Sequence, residues 1–102
     1  MIDYSRIPPR AIGALLRWRI NGIPTGGALE ALLDNDLPGW CNRADEEYFA
    51  ATREIVSWVR FCLPSATASI DTSLFPINNA RELAGLPALE WDGNEVQEVA
   101  HV

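Results

Sequence analysis

Residues 43–63 read RADEEYFAATREIVSWVRFCL, the longest run in the chain without proline or glycine. Tyr48, Ile55, Val59 and Cys62 share one face of this run, with Thr52 between them and Phe49 and Val56 widening the stripe to one side. Apolar residues at steps of three, four and seven mark a helix with one buried face. Asn42 or Asp45 can cap its start, and Glu46 and Glu47 suit a helix N-terminus. Leu63-Pro64 ends it, because proline brings no amide donor and crowds the turn before it. Such a stripe cannot be buried alone, and the residues before it are patterned to cover it.

From Pro9, a residue tolerated in a first helical turn, the sequence predicts a helix with Ile12, Leu15, Leu16 and Ile20 inward and Arg10 and Arg17 outward. Ala11, Gly13 and Ala14 are small enough for close helix approach. Asn21-Gly22 stops this helix, with Gly22 as a left-handed cap. The turn Ile23-Pro24-Thr25-Gly26-Gly27 then leads into a second helix carrying Ala28, Leu29, Leu32 and Leu33, with Thr25 as its N-cap. Glu30 and Asp34 face water as an i, i+4 like-charge pair, a cost of a few tenths of a kcal/mol that a basic partner opposite would remove. Asp36-Leu37-Pro38-Gly39 reads as a closing turn, with Trp40 covering the core where the turn meets the central helix. The expected fold class is therefore all-α: a small helical bundle, two short helices packed on one long helix, with residues 1–64 as the helical core domain.

After Pro64 the pattern thins. SATASIDTS is short and polar, Leu74-Phe75-Pro76-Ile77 is an apolar cluster, and Asn78 or Asn79 is placed to cap a short helix carrying Leu83. Asp92-Gly93-Asn94 predicts a turn, and residues 95–101 a short last helix. Residues 65–102 are expected to form an irregular acidic C-terminal extension of the same domain, wrapping the body or partly flexible.

Composition narrows the function classes. A hydrophobic fraction of 48% argues against wholesale disorder, and 102 residues give room for one modest core. No stretch approaches the roughly 20 apolar residues of a membrane span, and MIDYSRIPPR lacks the apolar centre of a signal peptide. A soluble, cytoplasmic protein with no membrane partner is expected. Cys41 and Cys62 form neither a disulfide framework nor a metal spacing, and Cys62 reads as a small buried hydrophobe. The formal net charge is −6, unevenly laid out. Residues 1–20 hold Arg6, Arg10, Arg17 and Arg19 against Asp3, whereas residues 21–50 hold six carboxylates against Arg43.

An enzyme needs converging groups of matched protonation. His101 sits beside the terminus, and Asp34, Asp36, Asp45, Glu46 and Glu47 read as helix caps and a solvated face. The Gly-rich turn lacks the Lys and the Ser/Thr of a phosphate-binding loop. No catalytic residue, cofactor or metal is implied. A helix-turn-helix reading fails because the second helix carries Glu30 and Asp34 and no basic residue, which leaves direct nucleic-acid binding to the basic first helix as an alternative. Binding to another protein fits better. Trp and Arg concentrate at the energetic centres of interfaces, and the chain holds Trp18, Trp40, Trp58 and Trp91. Trp18 and Trp58 are each either core or anchor; as anchors they mark a partner surface or a homodimer seam. The residues predicted to contact a protein partner are Arg17, Trp18, Glu30, Asp34, Asp36, Glu47 and Trp58.

The series YSRIPPR (residues 4–10), GIPTGGAL (residues 22–29), Asn35-Asp36-Leu37, Arg43-Ala44-Asp45-Glu46-Glu47 and Ile55-Val56 resembles a family of small proteins encoded by bacteriophages, prophages and other mobile elements. The likeness spans residues 4–64. Ala28 stands where that family usually has Phe and Tyr48 where it has Asn, and its usual Cys-Trp-Gly-Ser-Pro ending is absent. The resemblance implies a cytoplasmic phage accessory protein and carries over no assigned catalytic role. Its partner would be a host protein or complex, one that itself binds nucleic acid, and the concrete version is an anti-CRISPR-like inhibitor of host defence. A self-assembling structural component of the phage is the other reading of that setting.

Overall fold

Asp45 decides where the central run begins. Its carboxylate accepts from the Tyr48 amide at 2.8 Å, which holds Ala44 extended and starts a helix at Glu46. In the computed structural model, which describes residues 2–99, the helices are α1 (Pro9–Asn21), α2 (Gly27–Leu33), α3 (Leu37–Arg43), α4 (Glu46–Ala50), α5 (Thr52–Phe61) and α6 (Ile70–Leu83). Short 3-10 segments cover Tyr4–Arg6 and Leu63–Thr67, and strands β1 (Leu89–Trp91) and β2 (Val96–Glu98) close the chain as an antiparallel hairpin.

The single long helix expected over residues 43–63 is thus divided. Arg43 ends α3, and the remainder bends at Ala51 between α4 and α5. Thr52 stands at the bend. Its hydroxyl donates to the Phe49 carbonyl at 2.6 Å and accepts from the Trp40 indole at 2.8 Å, so one side chain joins α3, α4 and α5. The buried face is also turned from the predicted one, toward Ala51, Glu54, Ile55, Ser57 and Trp58. Val59 and Cys62 are half-buried, while Phe49, Val56 and Phe61 are exposed.

Asp36 corrects the reading of residues 36–39 as a turn. Its carboxylate accepts from the Gly39 amide at 3.0 Å, and Pro38 occupies the first turn, so the segment opens α3. Gly26, not Thr25, is the N-cap of α2, at a positive φ of 69°. α1 follows its pattern over most of its length: Ala11, Ile12, Gly13, Leu15 and Leu16 are buried and Gly22 caps the end at φ 68°, but Ile20, expected inward, is exposed in the last turn.

The fold is mixed α/β, not the all-α bundle that periodicity predicts, and the difference lies after Pro64. α6 runs straight through Pro76. Ser69 caps its start by accepting from Thr72 at 3.2 Å, and Leu74 and Ile77 fix its inner face in the core. Pro76 leaves one carbonyl without its helical donor, but tertiary packing outweighs that loss. Asn78 caps nothing. It donates to the Leu89 carbonyl at 3.0 Å and accepts from the Leu89 amide at 2.8 Å, which docks β1 on α6. Arg81 is buried and donates to the Pro87 carbonyl at 2.6 Å, with Glu98 3.6 Å away. The predicted turn at residues 92–94 is present. Asp92 Oδ1 accepts from Asn94 at 2.8 Å and Glu95 at 2.7 Å, with Gly93 at φ 100°. The chain beyond it returns as β2 where a last helix was expected; that expected helix extends to His101, which lies outside the described residues. Pairing puts Leu89 opposite Glu98 and Trp91 opposite Val96.

The core joins Ile7, Leu15 and Leu16 with Ile55, Trp58, Leu63, Leu74, Ile77 and Leu89, so the lead-in, α1, α5, α6 and β1 all share it. The hairpin packs on α1 at Gly13, where a Cβ would make ordinary van der Waals contact, 3.6 Å from the Val96 backbone nitrogen.

Candidate protein-binding cleft

Gly22, Gly26 and Gly27 all have positive φ, and they turn the chain back so that α2 lies beside the end of α1. Trp18, four residues before Gly22, ends up facing the first and last turns of α2. The result is a cleft of about 270 Å³ lined by Trp18, Pro24, Thr25, Glu30, Leu33 and Asp34, with Gly22 at its edge. Glu30 and Asp34 are one helical turn apart, joined by the Asp34 amide bond to the Glu30 carbonyl at 3.0 Å. Among the described residues neither carboxylate has a basic partner within 4 Å. Trp18 is 36% exposed, and the Thr25 hydroxyl is buried at the wall without a hydrogen-bond partner among the described residues.

Three of the seven predicted contact residues, Trp18, Glu30 and Asp34, therefore converge. The other four do not join them. Arg17 donates to the Asn94 carbonyl at 3.0 Å, and beside it Asn21 donates to the Gly93 carbonyl at 3.1 Å; together they fasten the hairpin turn to α1. Asp36 is the cap of α3. Glu47 pairs with Arg10, which also contacts Asp45 at 2.7 Å. Trp58 is 0% exposed, and its indole donates to the Ser73 carbonyl at 2.9 Å. Of the two readings left open for it, the structure places it in the core.

The arginines of the basic lead-in and first helix are engaged within the chain. Arg6 lies 3.7 Å from Glu54, a buried carboxylate. Arg10 stacks over Tyr48 at 4.7 Å, and Tyr48 in turn stacks on Trp40 with 6.2 Å between ring centres. Arg19 reaches the Pro64 carbonyl at 3.4 Å. Burial pushes the Tyr48 hydroxyl upward despite Arg10. Cys62 is half-buried and its thiol is likewise pushed up by burial, whereas Cys41 is exposed; both are free thiols.

An indole face beside two carboxylates suits a cation. The ring quadrupole and the carboxylates attract the same charge, and a guanidinium or ammonium at the end of a flexible stem can reach both. Among the described residues no three of His, Cys, Asp and Glu gather closely enough to hold a metal ion. Sequence reasoning named Glu30 and Asp34 as a pair and Trp18 apart from them. The signal that joins them is the glycine turn, since Gly22 followed by Gly26-Gly27 reverses the chain within a few residues.

Among the described residues no helix is long and apolar enough to cross a membrane. No family model, no curated protein and no solved structure matches the chain.

Proposed function

We propose that this protein acts by binding another protein and that the Trp18–Glu30–Asp34 cleft takes up an Arg or Lys side chain of the partner. The observation that carries the reading is the pairing of a part-exposed indole with two carboxylates that have no basic partner among the described residues. Unpaired acidic groups one turn apart repel each other in the free protein, and a basic side chain from a partner relieves that repulsion. Charge of this sign also speeds encounter with a basic surface.

The resemblance of residues 4–64 to phage and mobile-element proteins sets the partner among host proteins in the cytoplasm. A basic, nucleic-acid-binding surface of a host defence complex is the chemistry that matches the cleft, and occupying that surface would inhibit the complex. Nucleic-acid binding through the first helix is the weaker reading, because Arg6, Arg10, Arg17 and Arg19 are already held by Glu54, Asp45, Glu47, Asn94 and Pro64.

The test is co-purification from host cells, wild type against a Trp18→Ala/Glu30→Gln/Asp34→Asn variant. A host protein should be retained by the wild type, lost in the variant, and released by salt on the order of a few hundred millimolar, where exposed charges are screened. Equal capture by both forms would remove the cleft from the mechanism. Capture of no protein would remove the function.

A further inference from the structure

The continuous helix α6 carries a second surface. Phe75, Asn79 and Leu83 recur at i, i+4 and i+8 on the side of α6 that faces away from Leu74 and Ile77. Phe75 is 70% exposed and Leu83 is 84% exposed, with Leu86 continuing the stripe past the helix end. Phe75 and Leu83 border a groove of about 600 Å³, walled on the far side by Ile2 and Tyr4 and lined along the helix by Pro76 and Ala80. A smaller groove of about 230 Å³ is also lined by Phe75, together with Glu82 and Leu86. The charged residues lining the two grooves are Asp3 and Glu82, both acidic. Arg81, the basic residue of α6, is turned inward to the Pro87 carbonyl and Glu98.

The surface is held rigidly. Trp58 bonds to the Ser73 carbonyl, Asn78 bonds twice to Leu89, and Leu74 and Ile77 are core residues. A preorganised face loses little freedom on binding. Its stripe runs about 12 Å along the helix axis, room for two to three turns of another helix laid in the grooves.

We propose that this face docks an amphipathic helix of a partner protein, with its apolar side against Phe75 and Leu83 and basic residues flanking it opposite Asp3 and Glu82. Ridges of one helix entering the grooves of another explain the spacing, and the acidic rims explain the sign of the flanks. A second copy of this chain fits poorly: symmetric pairing would bring the Asp3 and Glu82 carboxylates of both copies together in a chain already at −6. The same carboxylates repel an anionic lipid surface. The site shares no lining residue with the Trp18 cleft and does not depend on it.

The probe is a designed helical peptide of about 18 residues with Leu at helical spacing and Lys on both flanks, set against a matched peptide with Glu flanks. Binding is followed by calorimetry and by amide shifts of the labelled protein. The Lys peptide should bind and move the amides of residues 2–4 and 75–86. A Phe75→Ser/Leu83→Ser variant should bind about tenfold more weakly or worse. Both side chains point to solvent, so its fold is retained, as an unchanged amide spectrum elsewhere will verify. The measurements are made in a Glu30→Gln/Asp34→Asn background, which removes the Lys-binding carboxylates of the Trp18 cleft; there Asp3→Asn/Glu82→Gln should lower affinity several-fold and flatten the salt dependence. The inference is overturned if the Lys peptide does not bind at roughly 1 mM or if the Glu peptide binds as well. It is also overturned if the shifts fall outside this face, if Phe75 and Leu83 drive self-association in sedimentation velocity, or if anionic vesicles bind the protein through them.

Discussion

The lead-in and α1 carry Arg6, Arg10, Arg17 and Arg19, and each reaches a group elsewhere in the chain. α2 carries Glu30 and Asp34, and among the described residues neither is ion-paired. In sequence the two regions look alike, each a cluster of one sign on a short helix. In space the arginines hold the lead-in, α4, the hairpin and the Leu63–Thr67 segment to the body, while the carboxylates stand open beside Trp18. Charge in a sequence is therefore a count, and availability is a property of the fold. The arginines remain largely exposed but are occupied at the surface by carboxylates and carbonyls of their own chain. The excess acid that remains unmatched is what stays available.

The two tryptophans give the widest test of this contrast between engaged and open groups. Trp58→Ala removes a fully buried ring and its bond to the Ser73 carbonyl, and should destabilise the protein by about 3–5 kcal/mol. Trp18→Ala, at the open cleft and 36% exposed, should cost less, about 1–2 kcal/mol, and act on partner capture as well. Urea denaturation of both variants reads the difference. Similar losses for the two would place Trp18 in the core and close the cleft.

Arg10 offers the next test. Arg10→Ala removes an ion pair with Asp45, another with Glu47, and a stack on Tyr48. All three are partly exposed, so the expected loss is only about 1 kcal/mol. Glu30→Gln/Asp34→Asn should move stability the other way, by a few tenths of a kcal/mol, because it relieves an unpaired like-charge couple. A destabilised double variant would mean that the two carboxylates are engaged after all.

Much of this arrangement could be read before any coordinates. The α1 face, the Gly22 cap, the Asp45 start signal and the burial of Trp40 all follow from local chemistry. What could not be read follows from long-range packing. Pro76 argues locally for a break, and only Leu74 and Ile77 in the core, with the Ser69 cap, keep α6 continuous. Strands of three residues are too short to show a period, so Val96–Glu98 passed for helix although Asp92-Gly93 is a hairpin signal. The face of α5 is turned toward Glu54, a position that a carboxylate does not advertise as buried and that depends on Arg6 3.7 Å away. The cleft was half-legible for the same reason. Its three residues were identifiable by type, but their meeting depends on how the glycine turn reverses the chain.

The smallest expected effect concerns acid, and it separates engaged carboxylates by mechanism. Asp45 is held below the usual carboxylate range first by the Tyr48 amide and then by Arg10, with partial desolvation opposing. Asp92 is held down by the Glu95 and Asn94 amides, and Asp3 by the hydroxyl and amide of Ser5. A carboxyl with a folded pKa below its unfolded value near 3.8 binds protons more readily in the unfolded chain. Its contribution is therefore complete above that value and is lost as pH falls through the lower folded value. These three groups should add no slope to stability between about pH 5 and 8 and should weaken the protein below pH 4 or so. Asp92→Asn keeps an acceptor for the turn amides but cannot titrate, so it should flatten the acid limb of hairpin amide shifts without disturbing α4. Asp45→Asn should do the converse at the Tyr48 amide. If either substitution flattened both limbs, the two caps would melt as one unit, and the docking of the hairpin through Arg17 would be tied to the Arg10–Asp45 pair through α1.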